Sequence, residues 1–79
     1  MNESVISSLA RNIVAQARDQ VAKNWGDNAE RRIGTVFYRA QLALHVFLAL
    51  VGYLDLDTLT DAEARELVVA TWHLLEAQK

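Results

Sequence analysis

The segment from Leu42 to Leu54 constrains the fold of this chain more than any other part of it. His45 is the only strongly polar residue among its thirteen residues. Projected at 100° per residue, the segment belongs to a helix that carries apolar side chains on more than one side. A helix that is apolar nearly all round is buried on every side. This segment therefore needs cover from its own chain and from a second surface.

Two apolar faces of this helix project about 180° apart, and we predict that each contacts a different surface. We expect the first face to meet the other helices of the chain; it consists of Ile33, Val36, Phe37, Ala40, Leu44, Phe47 and Val51. We expect the second face to need cover from a second copy, and the predicted dimer interface consists of Leu42, His45, Val46, Ala49 and Tyr53. His45 lies in a narrow seam between the two faces.

The remaining pattern predicts one all-α domain, 1–79, built as a three-helix bundle with helices at about 3–25, 28–52 and 61–78. Gly26 suits the C-terminal cap of the first helix, and Gly52 with the polar stretch after it ends the second. The third helix has the clearest start, because Thr60 and Glu63 have the spacing of a capping box. No sustained alternation of apolar and polar residues predicts a strand.

Length and composition favour association with another chain. At 79 residues the domain is small, yet 52% of its residues are hydrophobic and it has no cysteine to form disulfides. Small domains have much surface for their volume, so a homodimer is the simplest way to reconcile the two facts. A thirteen-residue apolar stretch is shorter than the roughly 20 residues of a membrane-spanning helix. No secretory signal is visible, so we expect a cytoplasmic protein without membrane contact.

The start of the second helix is basic and aromatic. Arg31, Arg32, Thr35, Tyr38 and Arg39 project toward the sector that holds Leu42 and Val46 further along. Arginine and tyrosine are favoured in protein interfaces, so these five residues form the predicted partner-binding patch. The alternative is that the arginines are solvated and form local ion pairs with Asp27 and Glu30.

No pattern in the sequence predicts catalysis, a cofactor or a metal site. His45 and His73 lie on different predicted helices, and the three serines near the N-terminus have no histidine nearby in sequence to activate them. No glycine-rich phosphate-binding loop is present. We therefore expect a protein that is not an enzyme. A helical enzyme would instead require a pocket with convergent polar groups.

These observations predict a small non-enzymatic regulator or inhibitor that binds a larger protein stoichiometrically. Small bacterial or phage regulators, including inhibitors of host systems, have this profile of a short, cysteine-free, helical chain. The alternative is a dimeric nucleic-acid-associated transcriptional regulator that uses Arg31, Arg32 and Arg39. The formal net charge of −2 disfavours nucleic acid as the partner, because phosphates repel acidic surfaces.

Overall fold

The computed structural model describes residues 3–56 and 58–77, and every regular element in these ranges is a helix. In chain order the helices are α1 (Glu3–Trp25), α2 (Ala29–Ile33), α3 (Thr35–Asp55) and α4 (Asp61–Glu76). The prediction of an all-α chain is confirmed. The predicted end of the last helix, at Gln78, lies outside the described residues.

The predicted second helix is two helices, because the chain breaks at Gly34. This glycine has φ +88° and ψ 154°, a backbone conformation that almost only glycine adopts. A single glycine inside a periodic pattern is compatible with a continuous helix, so the break gave no clear signal in the sequence. Gly52, which was expected to end the second predicted helix, does not interrupt it. It lies inside α3, which continues to Asp55.

The predicted capping box at the start of α4 is confirmed. The Thr60 hydroxyl accepts a hydrogen bond from the Glu63 backbone N–H at 3.1 Å, and the Thr60 backbone N–H donates to the Glu63 carboxylate at 3.0 Å. Two N–H groups at the helix start, which have no partner within the helix, are thereby satisfied. Because this cap fixes where α4 begins, it also fixes which side chains of α4 turn toward α1.

Helix α1 is the centre of the bundle, since α3 and α4 both pack on it and contact each other little. The C-terminal residue of α1, Trp25, contacts Phe37 and Gln41 near the start of α3, so α1 and α3 are antiparallel. Ile6 and Ser7 of α1 line one depression with residues 65–73 of α4, and Ser7, Ala10 and Arg11 line the next with residues 70–74. Because residue numbers rise together, α4 runs parallel to α1.

The core is the apolar stripe of α1 together with the residues that cover it. The stripe itself follows the helical spacing expected of an amphipathic helix. The buried apolar residues of the described chain are Ile6, Ala10, Ile13, Val14, Ala17, Val21, Ala29, Leu42, Val46 and Leu67. Leu42 and Val46 are the α3 residues in this set, so the side of α3 that carries them is the side that packs on α1.

Thr71 of α4 is fully buried, and its hydroxyl Oγ1 has no hydrogen-bond partner within residues 3–56 and 58–77. An unsatisfied buried hydroxyl costs about 1–3 kcal/mol. We therefore expect Thr71→Val, which replaces the hydroxyl by a methyl group, to raise the free energy of unfolding by about 1 kcal/mol. Urea denaturation measures the change, and Thr58→Val in the exposed loop is the matched control. A loss of stability in Thr71→Val would show that the hydroxyl is satisfied.

Candidate protein-binding face

The side of α3 that points away from α1 is apolar and exposed along its whole length. The side chains on it are between 38% and 85% exposed: Val36, Phe37, Leu44, Phe47, Leu48, Val51 and Leu54. They project into one sector of about 120°, roughly opposite the buried Leu42 and Val46. No charged residue occurs on α3 between Arg39 and Asp55. This sector is therefore an uninterrupted apolar surface.

Helix α4 extends this surface. Val68 and Trp72 are 41% and 55% exposed and lie one turn apart, so they share a side of the helix. They project roughly opposite Ala70 and His73, which line a depression with Ser7 of α1. This places both side chains on the α3 side of α4. We call the seven α3 residues together with Val68 and Trp72 the apolar face.

The apolar face is large for a protein of this size. With an accessible area on the order of 200 Å² for each large apolar residue, the exposed fractions of these nine residues amount to roughly 900 Å². The largest apolar patch of a typical monomer is about 300–600 Å². A standard protein interface buries about 800 Å² on each partner. The face therefore has the area of one side of a stable interface.

Aromatic contacts fix the edge of the face nearest to α2. The Trp25 and Phe37 rings meet edge to face with their centroids 5.7 Å apart. The Trp25 indole N–H donates to the Gln41 side-chain oxygen at 3.4 Å. These contacts join the end of α1 to the start of α3 and hold Phe37, which is 45% exposed, in one position. This end of the face is consequently ordered before any partner binds.

The prediction for the two sides of α3 is wrong, because the structure exchanges them. Leu42 and Val46, predicted to be exposed and covered by a second copy, are 2% and 3% exposed and lie in the core against α1. Ala49 and Tyr53 are half-buried and pack against the same core. His45 is half-buried and lines a depression with Gln16 and Gln20 of α1. The residues predicted to face the core form most of the apolar face instead.

The residues of the predicted partner-binding patch make different contacts in the structure. The Arg32 guanidinium donates to the Trp25 carbonyl oxygen at 3.0 Å and so covers the end of α1. The Thr35 hydroxyl donates to the Glu30 carboxylate at 3.2 Å. Arg31 and the half-buried Tyr38 line a depression together with Asp27 and Glu30.

Arg39 is exposed and projects closer to the side of α3 that carries Val46 than to the centre of the apolar face. The structure thus brings Arg31 and Tyr38 together beside acidic neighbours, and it uses Arg32 to hold α1 and α2 in place. Their role in binding a partner stays a prediction.

A shallow depression between α1 and α4 is the other place where polar side chains converge. Ser7, Arg65, Glu66 and His73 line it together with apolar neighbours. It is open to solvent, unlike the concave sites that enclose most of a small ligand. Within residues 3–56 and 58–77, no group of three or more histidine or acidic side chains is placed to hold a metal ion.

Helix α3 is also long and apolar enough to cross a membrane, judged by length and composition alone. Its 21 residues exceed the thirteen-residue stretch counted in the sequence, because the apolar character begins before Leu42. A core helix of a soluble protein passes the same test but is mostly buried. Only 11% of the relevant window of α3 is buried. The low burial again reflects the exposed apolar face.

No protein-family model, no curated protein and no solved structure matches this chain.

Proposed function

We propose that this protein is a small non-enzymatic regulator or inhibitor that acts by binding other proteins, and that the apolar face is its protein-binding surface. The observation that carries the proposal is the roughly 900 Å² of exposed apolar area on one side of α3 and α4. Water contact with so large an apolar area is unfavourable, and burial against another protein removes it.

The composition of the face supports protein binding. Three aromatic side chains, Phe37, Phe47 and Trp72, are 45–62% exposed within it. Buried aromatic side chains supply much of the binding energy in protein interfaces. No charged residue occurs on α3 between Arg39 and Asp55, and Asp55 lies at the end of the face. An apolar centre with a polar rim is the usual composition of an interface.

The rigidity of the surface supports stoichiometric binding. All nine residues of the apolar face lie within α3 and α4, and both helices pack on α1. A surface on packed helices loses little conformational entropy when it binds. A regulator that works by occupying a partner's surface needs this property rather than a catalytic group.

Affinity capture followed by reconstitution tests the proposed function. The tagged chain, Phe47→Asp and Asn12→Asp are compared as baits in the same lysate. Asn12 is exposed on the outer side of α1, so Asn12→Asp adds the same charge away from the apolar face. We expect a protein that the wild type and Asn12→Asp retain and that Phe47→Asp loses by at least about tenfold.

The captured protein is then purified and titrated with this chain. A fixed whole-number stoichiometry, with the partner's activity changed in proportion to occupancy, supports a stoichiometric regulator. If every captured protein binds Phe47→Asp as well as wild type, the apolar face is not the protein-binding surface and the proposal fails. Turnover of a substrate by the chain alone would contradict its non-enzymatic character.

A further inference from the structure

We propose that the apolar face binds a second copy of this chain, with the two α3 helices antiparallel. The inference deepens the proposed function, since it names one protein that the face binds. It differs from the dimer predicted from the sequence, because that dimer used the side of α3 that carries Leu42 and Val46, which the core occupies.

The area of the face is the first argument. Two copies that cover their faces on each other remove roughly 1,800 Å² of surface from water. Standard interfaces bury about 1,600 Å² in total. A face of nine apolar residues without a charge at its centre is also self-complementary, as a two-fold interface must be, because each copy presents the same surface to the other.

The distribution of charge along the bundle is the second argument, and it sets the orientation. At the end where α3 begins lie four basic residues and two acidic ones, namely Lys23, Arg31, Arg32, Arg39, Asp27 and Glu30. Of the side chains that the structure describes, four acidic and one basic lie at the end where α3 finishes and α4 begins, namely Asp55, Asp61, Glu63, Glu66 and Arg65. The bundle therefore has a basic end and an acidic end.

An antiparallel pair places the basic end of each copy beside the acidic end of the other. A parallel pair places like ends together, and like charges at an interface are unfavourable. Area and charge together select a second copy in the antiparallel orientation.

Sedimentation of the full chain tests whether the dimer forms and which face it uses. From about 1 to about 100 µM, we expect the wild type and Asn12→Asp to sediment as dimers. Phe47→Asp should weaken the dimer about 100-fold or more, because two-fold symmetry buries the new charge twice. Leu44→Lys is a second variant on the same face, and circular dichroism confirms that each variant remains helical.

Disulfide cross-linking tests the orientation of the two α3 helices. The sequence contains no cysteine, so an introduced cysteine is the only thiol in each variant. Val36 and Leu54 lie at opposite ends of the face, about 27 Å apart along α3. In an antiparallel dimer, Val36→Cys mixed with Leu54→Cys forms the cross-linked pair, and neither variant cross-links with itself. Leu44→Cys, near the middle of the face, should cross-link with itself and serves as the positive control.

Several results would overturn the inferred dimer without deciding whether the apolar face binds another protein. A wild-type monomer at about 100 µM, or a dimer unaffected by Phe47→Asp, removes the second copy from the apolar face. Self-cross-linking of Val36→Cys shows a parallel pair. A monomer that instead floats with vesicles of anionic and zwitterionic lipid, and loses this binding in Phe47→Asp, identifies a bilayer as the occupant. A monomer that binds a different protein through the face contradicts only the dimer.

Discussion

Leu42→Ala should lower the free energy of unfolding by about 3 kcal/mol, which is a large part of the roughly 5–10 kcal/mol expected for a domain of this size. Leu42 is 2% exposed and lies on the side of α3 that packs against α1. Truncation removes buried apolar contacts and leaves a cavity that the helices can fill only in part. Urea denaturation followed by far-ultraviolet circular dichroism measures the loss.

Leu44→Ala is the matched control, because it makes the same chemical change two residues away on the opposite side of the helix. Leu44 is 47% exposed, so its truncation should cost less than about 1 kcal/mol in the isolated chain. The comparison is made at low protein concentration, where association contributes least to stability. If Leu44→Ala were the more damaging substitution, the side with Leu44 would be the one that packs on α1.

Gly34→Ala should lower the free energy of unfolding by about 2 kcal/mol. The reason is the backbone alone. Gly34 has φ +88°, which residues with a Cβ rarely adopt, and apart from Gly34 and its two chain neighbours no described residue has an atom within 4 Å of where that Cβ would be. To relieve the strain, the chain must move toward helical angles at this position. We therefore expect α2 to change its direction relative to α3, which a loss of the hydrogen bond from Arg32 to Trp25 would report in amide spectra.

Gly52→Ala is the control for Gly34→Ala, and it should have the opposite sign. Gly52 lies inside α3 without a positive φ, and a Cβ added there also meets no atom within 4 Å. Alanine in place of glycine inside a helix stabilises by about 0.5–1 kcal/mol. Equal effects of the two substitutions would mean that Gly34 does not require its unusual conformation.

The parts of the fold that the sequence predicted are those that local patterns determine. The stripe of α1 has one apolar side and one polar side, so its buried residues, such as Ile13 and Val21, followed directly from helical spacing. The start of α4 followed from the hydrogen-bonding chemistry of Thr60 and Glu63. Both features depend on residues within a few turns of each other.

The choice between the two sides of α3 was beyond the reach of such patterns. Both sides are apolar, so helical spacing alone does not distinguish the side with Phe37 and Phe47 from the side with Leu42 and Val46. The structure buries the side with Leu42 and Val46 instead. Gln41 offered a partial signal, since its side chain accepts a hydrogen bond from Trp25 and borders the packed side. That pairing depends on how α1 and α3 meet, which no single helix encodes.

The apolar face can contact only one protein at a time, because its nine residues form a single surface. A second copy and a target would therefore compete for it by mass action. Well above the dissociation constant of a dimer, the concentration of free monomer rises only as the square root of the total, so doubling the amount of chain increases it about 1.4-fold. Self-association would then damp the change in binding-competent chain as expression varies.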